Sequence, residues 1–225
     1  MVSAVIVAGG KGTRMGADKN KVLLPIMGKE IISRTVSAFE NCKLIDEIII
    51  VTAPCDIDAV KKIVKRDGYN KVSHITEGGS LRQNSVYNGL KHVKGDVVLI
   101  HDGARCLVTD KEICDVIADT KTFGATTVGV RVKDTLKTID DDGNIITTID
   151  RERTVHIHTP QGFKTREILD LHERAALDNI TVTDDSSVFE HYGKTVHLTA
   201  GSYDNIKITT PEDIVIGENI LKGRI

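Results

Sequence analysis

The stretch VSAVIVAGGKGTRMG, residues 2–16, decides the fold, because an apolar strand runs directly into a glycine-rich loop that carries cations. Gly9, Gly10 and Gly12 permit backbone angles closed to other residues and let N–H groups approach a polyanion. Lysine and arginine side chains in this stretch and just after it supply positive charge. A tight turn with solvated lysines would also fit, but glycines interleaved with cations favour a phosphate-binding loop.

The loop departs from two common nucleotide-binding patterns. No G-K-[ST] closes the run, so it is not a Walker A loop. The pattern G-x-G-x-x-G is approached only by Gly10, Gly12 and Gly16, which are one residue out of step. The second predicted strand also lacks an acidic residue at its end, which further disfavours a dinucleotide-dependent oxidoreductase.

Outward from this loop, apolar runs alternate with helical patterns. The predicted strands are residues 2–8, 47–52, 72–76, 96–100 and 125–130, and the predicted helices are residues 31–39, 56–66, 81–93 and 111–123. This alternation predicts an α/β fold, with a Rossmann-like, mostly parallel sheet and helices on both faces. Ligands of such sheets bind beyond the carboxyl ends of the strands, so we expect the residues that follow each strand to share one crevice.

A different pattern of residues interrupts the α/β alternation between residues 133 and 158. Apolar and polar residues alternate on both sides of Asp142-Gly143, which predicts a projecting β-hairpin arm with a turn of the D-G type. A lone two-stranded hairpin is marginal in water, so we expect the arm to pack on a second subunit and form a homodimer. After the arm we expect helices at 166–177 and 185–192, strands at 195–198 and 205–208, and a closing helix after Pro211.

Composition restricts the function classes. We expect a single domain spanning residues 1–225. Its net charge of −2 and its lack of Trp argue against a nucleic-acid partner. No apolar run approaches the length of a membrane span, and the N-terminus does not resemble a signal peptide. The four cysteines show no metal or disulfide spacing, so we expect reduced thiols and a cytoplasmic protein.

Five further motifs follow in order. They are EGGSLRQNSVYNGL (77–90), VVLIHDGARCLV (97–108), VKDTLK (132–137), IDRERTVHIHTPQGF (149–163) and DNIKITTPEDI (204–214). The motif at 97–108 should place His101, Asp102 and Arg105 at the edge of the crevice. Taken singly, each motif has a structural explanation: a capped helix at 77–90, an Asp102–Arg105 ion pair, or a solvent-facing Lys207.

Taken together, these motifs resemble a known family. The run A-G-G-x-G-x-R-M followed by a lysine resembles the signature of sugar-phosphate nucleotidyltransferases. The order H-D-[AG]-A-R, V-x-D-T-x-K, D-R, T-P-Q-x-F and D-N-x-K-[IV]-T over residues 5–213 is similar to that of methylerythritol-phosphate cytidylyltransferases. The resemblance implies a nucleotide-diphospho-sugar transferase-like fold and transfer of CMP from CTP to a phosphorylated polyol, with release of pyrophosphate.

The resemblance also implies residue roles. The catalytic residues would be Arg14, Lys21 and Lys207. Nucleotide-binding residues would be Ala8, Gly9, Gly10, Gly12, Gly78, Gly79, Arg82, Ser85, Asp102 and Gly103, and substrate-binding residues would be Arg105, Thr135, Arg151 and Asp204. Mg²⁺ would be held mainly by the CTP phosphates, with no direct side-chain ligand. In a dimer, the residues on or near the arm would act in trans.

Three positions depart from the family pattern. Asn20 and Val22 flank Lys21 where P-K-Q is common, and Cys106 stands where proline is usual.

Two other functions stay open at this point. Ribitol-5-phosphate cytidylyltransferases share the loop, TPQ and NIK elements. A non-catalytic nucleotide-binding module would need the site for the nucleotide phosphates but no second site for the phosphate of an alcohol.

The residues suit a reaction that needs no general base. A phosphate monoester has a second pKa near 6, so at pH 7 most of it is already the nucleophilic dianion. The motifs contain no activated Ser-His-Asp or Cys-His arrangement. What two repelling anions need is charge neutralisation and alignment, which clustered cations supply.

Overall fold

The computed structural model describes residues 1–10 and 20–224, in which strands and helices alternate along the chain. The strands are β1 (Val2–Val7), β2 (Pro25–Ile26), β3 (Lys29–Glu30), β4 (Glu47–Thr52), β5 (Val72–Glu77), β6 (Val97–Asp102), β7 (Ala125–Arg131), β8 (Lys137–Ile139), β9 (Ile145–Thr148), β10 (Val155–Lys164) and β11 (His197–Ala200). The helices are α1 (Ile31–Asn41), α2 (Ile57–Asp67), α3 (Arg82–Leu90), α4 (Asp110–Phe123), α5 (Thr165–Leu177), α6 (Asp185–His191) and α7 (Pro211–Lys222).

Seven of these strands form one sheet in the order β11-β7-β10-β6-β1-β4-β5. The pairs β6–β1, β1–β4, β4–β5 and β11–β7 are parallel, and only β10 runs antiparallel to its two neighbours. The predicted α/β fold with a mostly parallel sheet is confirmed. The first five predicted strands and the helices between them also fall within a few residues of the observed elements.

Both faces of the sheet are buried, and successive side chains of the central strands point to one face and then the other. In β1, Ala4 and Ile6 pack into the apolar cluster that also contains Phe39 of α1 and Val116 of α4. Val5 points to the opposite face and joins the cluster under α3, α5 and α6. Successive side chains of a strand point to opposite faces, so a strand covered on both faces must be apolar throughout, as the run VSAVIV nearly is.

Strand β10 was not predicted. Residues 155–158, which the sequence placed in the arm, pair with β7, with Val155 opposite Arg131 and Ile157 opposite Gly129. Pro160 argues against a central strand because proline cannot donate to the ladder. The structure accommodates it at a register shift between Ile157 and Gln161, where the ladder with β7 is interrupted.

The predicted hairpin is present as β8 and β9, and the residues of both strands are exposed. Its turn is longer than a two-residue D-G turn. The N–H of Gly143 donates to the carbonyl of Asp140 over 3.1 Å, and Gly143 has a φ of +85°. A register shift at Ile139 accompanies it, which is the pattern of a turn closed by a glycine bulge.

The predicted strand at 205–208 is wrong, because this segment has no regular secondary structure and does not join the sheet. The N–H of Ile208 donates to the carbonyl of Ala104 over 2.9 Å and so attaches the segment to the loop after β6. The closing helix begins at Pro211, as predicted. Over the described ranges, no helix has both the length and the apolar character needed to span a membrane.

Candidate active site

A cavity of about 630 Å³ lies beyond the carboxyl ends of β1, β5 and β6. This is the place where an open parallel sheet binds ligands. The residues that line it come from sequence-distant loops. They are Val7, Ala8, Gly9, Gly10, Asn20, Lys21, Val22, Gly79, Ser80, Leu81, Arg82, Ser85, Asp102, Ala104, Lys207 and Thr209. Nine of the predicted site residues are among them.

The glycine turn and Lys21 are held together by Asn20. The buried Asn20 amide donates to the carbonyl of Ala8 over 2.9 Å and to a carboxylate oxygen of Asp56 over 2.8 Å. Its side-chain oxygen also accepts from the N–H of Val22 over 3.3 Å. Asn20 therefore fixes the start of the short helical turn Lys21–Leu23 beside the end of β1. Gly12 and Arg14 lie outside the described residues.

The second wall is the turn between β5 and α3. The N–H of Gly79 donates to the Ser85 hydroxyl over 3.0 Å, and that hydroxyl donates to the carbonyl of Leu81 over 3.1 Å. A side chain at Gly79 would meet Asn84 Cβ at 2.3 Å, so only glycine fits there. Gly78 lies just behind this wall, with its N–H donating to the carbonyl of Thr52 over 2.8 Å. The backbone N–H and C=O groups of this turn form a close-fitting polar wall.

A chain of charges crosses the floor of the cavity. Asp102 Oδ2 lies 2.8 Å from the Lys207 ammonium, and Asp102 Oδ1 lies 3.2 Å from Arg82 Nε. The other side of the Arg82 guanidinium contacts Asp185 Oδ2 at 2.8 Å, and Asp185 Oδ1 lies 3.3 Å from His172 Nε2. The Lys207 side chain remains 40% exposed, which leaves its ammonium accessible to a ligand.

This network sets the charge state of its members. Burial acts to raise the pKa of Asp102, but Arg82 and Lys207 outweigh it and hold that pKa well below its usual range. Burial likewise opposes ionisation of Asp185, and Arg82 and then His172 lower its pKa overall. The two carboxylates in turn raise the pKa of Arg82 despite its burial. All three groups are therefore charged at neutral pH, and Arg82 joins the two anions.

His101 does not reach the cavity, contrary to the sequence-based expectation. It precedes Asp102 on β6, so its ring points to the other face of the sheet and packs on Phe39 with centroids 4.9 Å apart. Nε2 lies 3.1 Å from the carbonyl oxygen of Arg105, and Nδ1 lies 3.0 Å from the Thr159 hydroxyl. A carbonyl only accepts, so Nε2 carries the proton and Nδ1 accepts from Thr159. Burial lowers the pKa of His101 to about 4, which keeps the ring neutral.

Arg105 is also buried, in the wall beneath Asp102. Its NH1 donates to the carbonyl of Asn205 over 2.7 Å, and its Nε lies 3.9 Å from Asp102 Oδ2. It therefore braces the segment that carries Lys207. Gly103 lies at the same level, with its N–H donating to the carbonyl of Val7 over 2.8 Å.

The remaining predicted site residues lie away from the cavity lining. Asp204 Oδ2 is 3.6 Å from Arg224 NH2. Thr135 is exposed at the base of the arm, and the exposed Arg151 contacts Glu152 at 3.6 Å. Within the described part of this one chain, these three residues do not meet Lys21 or Lys207 in one cavity.

Sequence reasoning missed several residues that build the site. Asn20 was noted only as a departure from a pattern, although a small amide beside Lys21, the predicted catalytic lysine, was a visible signal. Asp185 lies 83 residues beyond Asp102 in the chain, and no local pattern links them. Thr159 accepts the N–H of Asp102 over 3.0 Å, and only the unpredicted strand β10 places it there.

The donor set of the cavity suits a cation that brings its own ligands. Mg²⁺ prefers oxygen ligands in octahedral geometry and is usually held by substrate phosphates plus one or two carboxylates. Among the described lining residues, Asp102 supplies the carboxylate, and both of its oxygens contact cationic side chains. These residues fit a Mg²⁺ held by a triphosphate and do not form a cage of protein oxygens.

Comparisons with known proteins cover nearly the whole chain. The family model described as IspD, 2-C-methyl-D-erythritol 4-phosphate cytidylyltransferase, matches residues 2–223. The protein of that name from Clostridium novyi (strain NT) is 48% identical over 222 residues, which are 98% of this chain and 96% of that protein. Its namesake from Clostridium acetobutylicum is 46% identical over 224 residues, covering 99% and 98% of the two chains.

Solved structures show the same similarity. A 4-diphosphocytidyl-2C-methyl-D-erythritol synthase from Anaerococcus prevotii is 32% identical and superposes with a TM-score of 0.87, covering 98% of this chain and 96% of that one. A 2-C-methyl-D-erythritol 4-phosphate cytidylyltransferase from Thermus thermophilus is 25% identical, with a TM-score of 0.79 and coverage of 97% and 98%.

Proposed function

The chain belongs to the 2-C-methyl-D-erythritol 4-phosphate cytidylyltransferase family, and from that premise we propose how its residues perform the reaction. The enzyme transfers CMP from CTP to 2-C-methyl-D-erythritol 4-phosphate in isoprenoid precursor synthesis. The products are 4-diphosphocytidyl-2-C-methyl-D-erythritol and pyrophosphate. The names of the relatives select methylerythritol phosphate over ribitol phosphate, and an enzyme over a non-catalytic nucleotide-binding module.

We assign the cavity to CTP. The triphosphate lies against the backbone of Gly9 and Gly10, where unhindered N–H groups and the nearby Lys21 offset its charge. The cytidine lies against the wall formed by Gly79 and Ser85, both of which line the cavity. The observation that supports this assignment best is the convergence of Lys21 and Lys207, 186 positions apart, on the cavity beside the glycine turn.

The transfer is an in-line displacement at the α-phosphorus of CTP. An oxygen of the methylerythritol phosphate dianion forms the new P–O bond, and the bond from the α-phosphorus to pyrophosphate breaks. No proton has to leave the nucleophile, since it is already ionised at pH 7. The protein therefore contributes alignment and positive charge where negative charge accumulates on the α-phosphate oxygens.

Arg14 and Lys21 stabilise the α-phosphate from the loop side, and Lys207 stabilises it from the opposite side. Asp102 holds the Lys207 ammonium at 2.8 Å and is itself fixed by Arg82. A cation that is already oriented loses little free energy to reorganisation when charge develops in the transition state. Asp102 thus serves the nucleotide site by orienting Lys207, and Arg105 acts through the segment that it braces.

Mg²⁺ completes the nucleotide site. It would be held by the phosphates of CTP and not by a side chain, because both oxygens of Asp102 already contact Arg82 and Lys207. When bound, it neutralises part of the triphosphate charge and makes pyrophosphate a better leaving group.

We assign the second anion site to the arm. Arg151 and Thr135 bind the phosphate of methylerythritol phosphate, and Asp204 binds its hydroxyl groups. Because Arg151 and Thr135 do not line the CTP cavity within the described part of one chain, we propose a homodimer in which the arm of one subunit completes the site of the other. The enzyme works in the cytoplasm, where both substrates are dissolved.

A pyrophosphate-release assay tests the function. The protein is offered each of the four ribonucleoside triphosphates with methylerythritol phosphate or ribitol phosphate, in the presence of Mg²⁺. We expect turnover with CTP and methylerythritol phosphate only. Equal turnover with ribitol phosphate would reject the substrate assignment, and CTP binding without pyrophosphate release would reject catalysis.

Lys21→Ala tests the mechanism in the same assay. Loss of one preorganised electrostatic donor should lower kcat by about 10²–10³-fold with little change in KM. Lys222→Ala, which removes an exposed lysine at the end of α7, is the matched control and should leave kcat unchanged. Near-normal turnover of Lys21→Ala contradicts the assignment.

A further inference from the structure

Two cysteines far apart in sequence meet outside the catalytic cavity. Cys42 directly follows α1, Cys114 lies in the second turn of α4, and their Sγ atoms are 3.9 Å apart. The carboxylate of Asp110, the first residue of α4, joins them, and the three ligand atoms all lie within 4.8 Å of one another. None of the three residues lines the proposed CTP site.

We propose that Cys42, Cys114 and Asp110 bind a thiophilic divalent cation, for which Zn²⁺ is the reference ion. Thiolate and carboxylate are two of the three ligand types that Zn²⁺ takes in proteins. With Zn–S bonds of about 2.3 Å, a tetrahedral site places its sulfur atoms about 3.8 Å apart. The observed 3.9 Å agrees with that spacing, whereas a disulfide requires about 2.05 Å.

Burial around the cluster fits a site with one open position. Cys42 is fully buried, Cys114 is half-buried and Asp110 is exposed. The cation would therefore have protein on the cysteine side and solvent on the Asp110 side. Water can supply the fourth ligand from there, and the ion has a route of entry.

The surrounding charges suit the bound state. Two thiolates and a carboxylate around a divalent cation carry a net charge of −1. The ammonium of Lys71 donates to the carbonyl of Cys42 over 2.7 Å, and the positive end of α4 begins at Asp110. Both favour a complex with one excess negative charge.

Binding would exchange protons for the cation. Burial, followed by the neighbouring Asp110 and Cys114, raises the pKa of Cys42 to about 12, so at neutral pH it is a thiol in the free protein. The cation displaces the thiol protons to the solvent as the metal–sulfur bonds form, with no change of oxidation state. The result is a link between the end of α1 and the start of α4, two helices that pack on the same face of the sheet.

The test uses the reduced full-length protein, stripped with a chelator and then titrated with Co²⁺ and, in a parallel series, Zn²⁺. We expect one Co²⁺ per chain with a thiolate-to-metal charge-transfer band, displacement of Co²⁺ by Zn²⁺, and a higher Tm with Zn²⁺. Cys114→Ser should weaken binding by at least about 100-fold, because even outer-shell partners of metal ligands contribute 10–100-fold. Asp110→Asn, which keeps side-chain volume, should weaken it while retaining the charge-transfer band.

Cys106→Ser and Cys55→Ser are the controls, one for a buried thiol and one for an exposed thiol. Both should bind the metal like the unaltered protein. All the variants should retain pyrophosphate release, because the cluster lies outside the catalytic site. The proposal is overturned if the reduced protein shows no charge-transfer band, if Cys114→Ser gives the same band, or if the two thiols form a disulfide and the reduced pair binds no metal.

Discussion

His101 shows at the scale of one residue how a buried group supports the site without touching it. Thr159 accepts the N–H of Asp102 and donates its own proton to His101 Nδ1, while Nε2–H of His101 donates to the carbonyl of Arg105. The three hydrogen bonds run in one direction and connect the end of β6 to the loop after it. A protonated His101 would donate from both ring nitrogens, so the Thr159 hydroxyl would have to rotate and give up its own donation to Nδ1.

This chain of hydrogen bonds predicts a pH dependence of stability. His101 has a pKa of about 4 in the folded protein and 6.5 in the unfolded chain, so between those values the unfolded chain binds more protons. The free energy of unfolding should therefore fall as the pH is lowered from 6.5 to 4, by about 3 kcal/mol from this residue. Denaturant unfolding at several pH values measures it.

The variant His101→Gln removes that titration and should flatten the profile between pH 4 and 6.5. Some slope remains, because burial and then Arg105 also lower the pKa of His158 to about 4. His191→Gln, which replaces an exposed histidine, is the matched control and should leave the slope as it is. An unchanged slope in His101→Gln would show that this ring is already protonated or solvated at low pH.

At the scale of the element, α3 positions Arg82 and Ser85 in the proposed nucleotide site. It begins at Arg82, carries Ser85 one turn later, and packs on β1 and β4 through Gly89. A side chain at Gly89 would lie 2.5 Å from Val5 Cγ1 and 2.7 Å from Val51 Cγ2. Close approach of the helix to the sheet therefore depends on the absence of a Cβ at this position.

Gly89→Ala should destabilise the protein and weaken CTP binding together. The added methyl group must push α3 away from the sheet, at a cost of about 1–3 kcal/mol for an overpacked core. Alanine is the better helix former, so a gain in stability is the result that propensity alone predicts. Thermal unfolding and CTP titration distinguish overpacking, which lowers both stability and CTP affinity, from the gain in stability that propensity predicts.

Gly223→Ala is the matched control, because Gly223 ends α7 with a φ of −71° and an added Cβ would make only ordinary contacts there. It should change neither Tm nor CTP affinity. A Gly89→Ala protein that is as stable as the unaltered chain would show that the helix–sheet spacing is not limiting.

At the scale of the whole molecule, the arm formed by β8 and β9 carries apolar side chains that a single chain leaves exposed. Ile139 and Ile145 are opposite each other in the hairpin and are 62% and 65% exposed, and Ile146 on the other face is 65% exposed. A free two-stranded hairpin has too little burial to be stable alone. A partner subunit would cover this surface and bring Arg151 to the second active site.

Ile145→Lys should therefore convert the proposed dimer to a monomer in light scattering and raise KM for methylerythritol phosphate while CTP affinity is retained. Arg151→Ala should raise the same KM by roughly 10-fold or more without dissociating the dimer, since hydrogen bonds to charged groups contribute about 1.5–3 kcal/mol. Leu177→Lys replaces an exposed leucine outside the arm and is the control. A monomeric unaltered protein with normal turnover would reject the arm proposal.

The sequence by itself determined those features that depend on neighbouring residues. Continuous apolar runs and helical repeats predicted β1, β4 to β7 and the helices between them, because a strand that is buried on both faces of a sheet must be apolar throughout. The glycine turn after β1 and the hairpin at Gly143 were predictable because their backbones need glycine. Motif order assigned the family before any contact was known.

Only the tertiary structure decided which distant side chains meet. The antiparallel insertion of β10 between β6 and β7 brings Thr159 to Asp102, and the unpaired segment after Asn205 brings Lys207 to the same carboxylate. The packing of α1 on α4 joins Cys42 to Cys114 in the same way. Local patterns record burial and backbone geometry but not strand order. Strand order determines which ionisable groups share one low-dielectric space. Their shared environment in turn sets their pKa values and their roles.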